Sequence, residues 1–245
     1  MSVYLIIGAS SDIGISYIKR LEEKEKEIVV YAHYNKTEEK LIELSNTLKY
    51  VELIRIRADL SDLNAVDSLI EKVKNGDRQI TNILHLPATR FENVRFKDFN
   101  IDKFQYEMNV QFYSLIKILK AFLPEMSKRK YGRVAVMLTA YTLGNPPKFM
   151  SDYEMIKHLL LGMVKALASE YAEKGITING ISPNMMETKY LDNLDKRSIE
   201  LNAKNSTMKR NVLLSEVCES IDYLMSEKCS YTTGINLNIS GGDYM

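Results

Sequence analysis

Short apolar runs rich in β-branched residues alternate along this chain with longer stretches in which apolar positions recur every three or four residues. VYLII (3–7), IVVYA (28–32), VELIRIR (51–57), ILHL (83–86), RVAVML (133–138), ITINGI (176–181) and INLNI (235–239) read as seven strands. Helical spacing falls between them: Asp12 to Glu23, a helix ending at Leu48, and segments near 61–75, 98–127, 151–174, 190–206 and 215–227. Asn35 with Glu38 and Ser151 with Glu154 have the spacing of helix-capping pairs. Continuously apolar strands alternating with helices predict an α/β fold, a doubly wound parallel seven-stranded sheet with right-handed crossovers and helices on both faces. No repeat, low-complexity tract or Pro/Gly linker divides the 245 residues, so a single domain over 1–245 is expected. In such sheets the ligand crevice lies beyond the carboxyl ends of the strands, and the residues just after each strand are where chemistry is sought.

Composition removes several classes of function. Lys+Arg 33 against Asp+Glu 32 leaves a net charge of +1, so no bulk field draws nucleic acid or an anionic membrane. EEKEKE (22–27) alternates in sign, as a solvated helix end does, and SKRK (127–130) follows an apolar helical pattern where cations complement the helix dipole. Cys218 and Cys229 have neither zinc-site spacing nor a disulfide framework, and no metal centre is expected. The N-terminus has no targeting pattern, and no apolar run reaches the ~18 residues of a membrane span. A soluble cytoplasmic protein with free thiols is the expectation.

Chemistry concentrates in two places. IIGASSDIGI (6–15) puts Gly8 and Gly14 between the first strand and the first helix, where helix N–H groups and the macrodipole favour a phosphate. A bare strand–turn–helix junction would look the same. Asp12 lies where an acid caps free N–H groups, which would turn it into the helix and away from phosphates. The second place is YEMIK, Tyr153 to Lys157, which sets an ammonium beside a phenol on one helix face. A cation there lowers the phenol's pKa and suits it to proton transfer. The same spacing at Tyr113–Lys117 lies midway along a long helix and reads as packing; His158 points off the shared face and reads as structural. Thr139, at the carboxyl end of RVAVML, can bring a hydroxyl to Tyr153 and to a substrate oxygen, whereas Ser151 reads as a cap.

Taken in order, these motifs resemble the short-chain dehydrogenase/reductase family over essentially the full length, near its 3-ketoacyl reductase-like members. The family's T-G-x-x-x-G-x-G is here Ile7-Gly8-Ala9-Ser10-Ser11-Asp12-Ile13-Gly14, with the Thr and the middle Gly replaced. Asp59-Leu60 resembles the adenine contact after the third strand, and His85-Leu86-Pro87-Ala88 stands for N-N-A-G. Asn109 in MNVQF resembles the asparagine that holds a proton-relay water. NGISPNMMET (179–188) keeps Asn179, Pro183 and Thr188 of N-x-x-x-P-G-x-x-x-T but has Asn184 for the glycine.

The resemblance implies a Rossmann-type fold and a tetrad. Tyr153 would be the general acid, Lys157 would lower its pKa and hold the nicotinamide ribose, Thr139 would orient the carbonyl and Asn109 would bind the relay water. It also implies an NADPH-dependent oxidoreductase acting on a small-molecule carbonyl substrate, a 3-ketoacyl thioester among the candidates. An NAD enzyme sets an acid near the end of the second strand; AHYNK (32–36) has none, and His33, Tyr34, Asn35 and Lys36 resemble the pattern of NADPH-using relatives, which makes NADH the lesser cofactor. The cofactor wall would then comprise Gly8, Ser10, Ser11, Asp12, Ile13, Gly14, those four residues, Asp59, Leu60, Pro87, Ala88, Tyr153, Lys157, Pro183 and Thr188. The loop 145–150 and the segment 184–210 should wall the substrate, with Phe149, Met150, Met185, Met186 and Tyr190 as lining. HLLLGMVKALASEYA after Lys157 is apolar around more than one stripe, as is the helix bearing Phe104, Met108, Phe112, Leu115, Leu119 and Phe122, which points to a homo-oligomer, dimer or tetramer. A non-catalytic cofactor-binding sensor or scaffold is the competing class, motivated by Asp12, Ala88, Thr139 and Asn184. A nucleotide-sugar-modifying relative would need a further substrate domain.

Overall fold

A computed structural model describes residues 2–89, 92–192 and 194–244; position 193, inside the expected 190–206 helix, lies outside the described residues. Seven strands, β1 (Ser2–Ile7), β2 (Ile28–Tyr34), β3 (Val51–Arg57), β4 (Asn82–His85), β5 (Gly132–Met137), β6 (Ile176–Pro183) and β7 (Asn236–Ile239), form one sheet. The order is β3-β2-β1-β4-β5-β6-β7, with every neighbour parallel. The topology reverses between β1 and β4, where Ile7 pairs with His85, and that is where such a sheet opens a crevice.

Burial on both faces explains the apolar runs. Along β1, Val3, Leu5 and Ile7 enter one core with β5 and helices α3 (Leu63–Lys74), α5 (Ser114–Arg129) and α6 (Ser151–Tyr171). Tyr4 and Ile6 point the other way, into a core made with α1 (Asp12–Glu22), α2 (Glu39–Ser45) and α8 (Leu214–Met225). The expected doubly wound single domain with helices on both faces is therefore the fold.

Local structure departs from the sequence reading where a side chain finds a better partner. Asn35 and Glu38 form no cap; α2 starts at Glu39, because the Glu38 carboxylate accepts from Arg55 Nε at 2.9 Å and the Asn35 carbonyl accepts from Arg57 Nε. The Ser151–Glu154 box is also absent, with Met150 in the cap position of α6. Glu154 is turned inward, its Oε2 3.5 Å from His158 Nδ1, and the same nitrogen bonds the Glu154 carbonyl. The expected helix at 98–127 is α4 (Ile101–Met108) running through a five-residue π turn (Asn109–Tyr113) into α5. The 190–206 segment is a 3-10 turn at Lys189–Leu191 followed by α7 (Lys196–Asn205), capped by Asp195. Tyr113 is exposed and Lys117 pairs with Asp67 at 2.8 Å, so that second Tyr–Lys pair is surface structure.

Candidate active site

The glycine turn between β1 and α1 is held from beneath. Gly8 sits at φ +80°, where an L side chain is strained. A Cβ on Gly14 would lie 2.5 Å from the Ala9 carbonyl oxygen, so α1 approaches the turn more closely than any side chain allows. Ser11 is the N-cap: its hydroxyl accepts from the Gly14 N–H at 3.2 Å and donates to the Gly8 carbonyl at 2.7 Å. His33 pins the turn to the sheet, Nδ1 accepting from the Gly8 N–H and Nε2–H donating to the Ala58 carbonyl, each at 3.0 Å. Those two bonds select the neutral Nε2–H tautomer, and burial lowers the ring's pKa to about 4.

Asp12 corrects an expectation. It does not cap α1; Ser11 does, and the carboxylate points out of the helix. Oδ1 pairs with Lys40 Nζ at 2.6 Å and Oδ2 accepts the Lys189 N–H at 2.8 Å. Burial pushes the acid up, and Lys40 with the Lys189 amide more than offsets it, leaving the carboxyl below its usual range. The charge that looked out of place in a phosphate turn is thus committed to α2 and to the segment after β6.

A hollow of about 890 Å³ opens beyond the strand ends. Gly8, Ser10, Ser11, Asp12 and Ile13 line it, as do His33, Tyr34 and Asn35 after β2 and Leu60, Pro87 and Ala88 after β3 and β4. Pro183 and Thr188 close the far side. Three expected contacts fall outside it. Gly14 lies under the turn. Lys36 is exposed, and Lys40 and Thr37 line the wall in its place. Asp59 spends its Oδ1 on the Ser61 N–H and hydroxyl, at 2.9 and 2.8 Å. Of the expected substrate lining, Met150, Met185, Met186 and Tyr190 are in place, whereas Phe149 is half exposed at φ 71° and its carbonyl accepts from Val94. Asn184, standing for a glycine, has no positive φ; it bonds Asp243 through Nδ2 and the Met185 N–H through Oδ1. Asn179 braces Thr232 and Ile235 from inside β6.

Thr139, Tyr153 and Lys157 converge on this hollow. The Tyr153 phenol hydrogen-bonds the Thr139 side chain. Lys157 is 1% exposed; its Nζ donates to the Met137 carbonyl at 3.1 Å and lies 5.7 Å from the Tyr153 ring centroid. Burial brings the Lys157 pKa down to about 8. Burial also holds the Tyr153 phenol above its ordinary value, with the Thr139 bond pulling the other way. That direction reverses the expected lowering by Lys157, whose ammonium lies over the ring and spends a donor on backbone. His85, buried at the end of β4, is kept neutral by burial and by the Lys157 charge.

Asn109 does not join them. Its Nδ2 donates to the Ser61 carbonyl at 3.0 Å and its Oδ1 accepts from Gln105 at 3.1 Å, so the side chain ties the π turn to the loop before α3. The turn shifts the helical phase, and neighbouring Val110 lines the hollow instead. Sequence reading also missed Thr89, Glu107 and Tyr141 in the wall. Glu107, two residues before the π turn that follows α4, gave no signal beyond an acid on an apolar helix.

The residues present fit a dinucleotide. The cap takes Gly14's amide, and the first-turn amides of Asp12 and Ile13 belong to the set that a helix leaves unpaired. Both residues line the hollow, and the one acid beside them is neutralised by Lys40.

Comparison with known proteins agrees with this geometry. The family profile described as "Enoyl-(Acyl carrier protein) reductase" matches residues 8–243. The 3-oxoacyl-[acyl-carrier-protein] reductase FabG of Rickettsia prowazekii (strain Madrid E) is 30% identical over 242 residues, 98% of this chain and 96% of that protein. Among solved structures, levodione reductase superposes with TM-score 0.89 at 21% identity, covering 98% and 96% of the two chains. A 3-oxoacyl (acyl-carrier-protein) reductase from Agrobacterium tumefaciens C58 with NADP bound gives 0.87 at 19% identity, covering 98% and 93%. The chain belongs to the short-chain dehydrogenase/reductase family and is an NAD(P)H-dependent oxidoreductase. Among the described residues no helix is long and apolar enough to cross a membrane.

Proposed function

We propose that this protein is an NADPH-dependent carbonyl reductase in which Tyr153 is the general acid. The observation that carries the reading is the convergence of Thr139, Tyr153 and Lys157 on one hollow continuous with the glycine turn. The nicotinamide group supplies the hydride; the protein supplies position, a proton and charge stabilisation. Thr139 and Tyr153 present two hydroxyls to a substrate oxygen, and a phenol held above its ordinary pKa keeps its proton at neutral pH, which suits reduction. Lys157 places a cation beneath the developing alkoxide. The Asn109 side chain braces the π turn through Ser61 and Gln105.

NADPH is favoured by the wall after β2. Asn35, Thr37 and Lys40 line the hollow there, Lys40 paired with Asp12, and Glu38, the first acid after β2 in the sequence, is spent on Arg55. That a relative of the same fold holds NADP supports the same choice. NADPH should bind about tenfold or more tighter than NADH, a ratio worth about 1.4 kcal/mol, in a fluorescence titration; a tenfold preference for NADH overturns it. An NADPH-oxidation screen over ketoacyl thioesters, ketones, sugars and pteridines tests the activity. Tyr153→Phe should lower kcat by roughly 10²–10⁴-fold while cofactor affinity holds. A wild-type protein that binds NADPH and reduces nothing would leave a sensor or scaffold as the reading.

A further inference from the structure

The half of the hollow beyond Tyr153 has two polar walls that hydride and proton transfer do not use. Glu107, at the end of α4, is 4% exposed and lines the hollow. Its carboxyl hydrogen-bonds the Thr89 side chain, and its charge acts on both Lys157 and Tyr190. Tyr190 comes from the segment after β6. Its ring lines the same hollow, while its hydroxyl is buried and has no hydrogen-bond partner among the described residues. Lys103, which also borders this space, is committed to Glu92 at 2.7 Å.

An unsatisfied buried polar group costs about 1–3 kcal/mol. A wall meant only for an acyl chain would be apolar throughout, as it is at Met150, Met185 and Met186. An acid and a phenol in the wall of one cavity, the phenol hydroxyl tucked beneath its surface without a partner, instead suit a ligand that donates to the first and draws the second into a hydrogen bond. We propose that Glu107 and Tyr190 form a polar specificity subsite, and that the substrate is a carbonyl compound carrying a hydroxyl or amine donor near the carbonyl, rather than a bare acyl chain. The inference deepens the carbonyl-reductase reading and rests on it. Sites that hydrogen-bond a substrate hydroxyl reject the analogue lacking it far more strongly than apolar pockets reject an extra methylene, because the site's own polar groups are then left unpaired.

The test uses matched pairs with the intact protein and NADPH: hydroxyacetone against acetone, hydroxycyclohexanone against cyclohexanone, and piperidone against cyclohexanone. The donor-bearing member should have the higher kcat/KM by about tenfold or more in at least one pair. Glu107→Gln and Tyr190→Phe should each cut that ratio by about fivefold or more, read as a change in transition-state binding. Melting temperature and NADPH affinity certify that each variant is folded. Equal rates within every pair, preference for the plain ketones, or a ratio unmoved in both variants overturns the subsite. If none of these carbonyls turns over, the reductase reading is decided by the wider substrate screen, and the subsite is judged by calorimetric binding of the same pairs with NADP+ present. Donor-dependent binding that Glu107→Gln abolishes then supports it, and indifference to the donor overturns it.

Discussion

Burial acts on two individual residues here in ways that pH will expose. Lys157 has its pKa brought down to about 8 by desolvation, so it is charged at neutral pH and loses its proton within reach of ordinary buffers. The kcat/KM for the nicotinamide cofactor reports groups of the free enzyme, and it should fall as pH rises through about 8. Lys157→Arg, which keeps its charge at any accessible pH, should remove that falling limb; a limb unchanged in this variant assigns it elsewhere. His33 works through stability. Its folded pKa of about 4 lies below the ordinary 6.5, so between those values the unfolded chain holds more protons and stability rises with pH. The contribution is fully present above 6.5 and is lost as pH falls toward 4, by about 3 kcal/mol at most. Urea midpoints should drop across that window in the wild type and less so in His33→Asn, which keeps an acceptor for the Gly8 N–H. Tyr153 and Lys157 were legible in the sequence because an i,i+4 pair on a helix needs only local geometry. The role of His33 was not, because it depends on Ala58 and Gly8, which only the sheet brings together.

Elements were legible where apolar periodicity ran unbroken, and illegible where one residue changes the phase or picks a distant partner. All seven strands and the position of α1, α3, α6 and α8 follow from burial patterns that the sequence displays. The π turn at Asn109–Tyr113 leaves no such mark, yet it rotates everything N-terminal to it and sends Asn109 to Ser61 while Val110 faces the hollow. Asp12 failed for a related reason: the cap rule sees only neighbours in sequence, whereas its partners are 28 and 177 residues away. Through those bonds it straps α1 to α2 and to the segment after β6 that lines the hollow. Asp12→Ala should therefore cost about 0.2–1 kcal/mol of stability, as partly exposed ion pairs do. Its larger effect should be on substrate KM, because the Lys189 amide loses its anchor beside Tyr190. Ser11→Ala should cost about 1 kcal/mol by removing the α1 cap and should weaken NADPH without a specific effect on carbonyl KM. Urea unfolding and steady-state kinetics on both variants separate these outcomes; an Asp12→Ala variant with strongly tightened NADPH and unchanged carbonyl KM would show the acid to be a repulsive neighbour of the phosphates.

At the scale of the whole molecule, the surface keeps an apolar face that one chain does not cover. On α6, Met155 and Leu159 are exposed, and Gly162 and Ala166 continue the same line at helical spacing; a Cβ on Gly162 would meet nothing within 4 Å. Adjacent α4 and the π turn add Ile101, Tyr106 and Tyr113, exposed by 75%, 46% and 38%. The opposite side of α6, through Ile156, Leu160 and Val164, is already in the core, so the helix is apolar around both of its long faces. Exposed apolar side chains on neighbouring elements are what an association site would use, and a stripe ending in glycine and alanine would let a second helix approach closely. We expect self-association through α4 and α6 in a closed, two-fold arrangement. Light scattering at micromolar concentration should give two or four times the 28.2 kDa of one chain. Leu159→Glu with Gly162→Glu should lower that mass to 28.2 kDa, since charges placed on an apolar interface core must be desolvated without partners. The far side of α6 carries Tyr153 and Lys157, so the monomeric variant should also lose turnover as the helix loosens, while keeping the sheet and its far-ultraviolet circular dichroism. A wild-type protein of single-chain mass at this concentration, or a double variant that retains its assembly, would place the interface elsewhere or dispense with it.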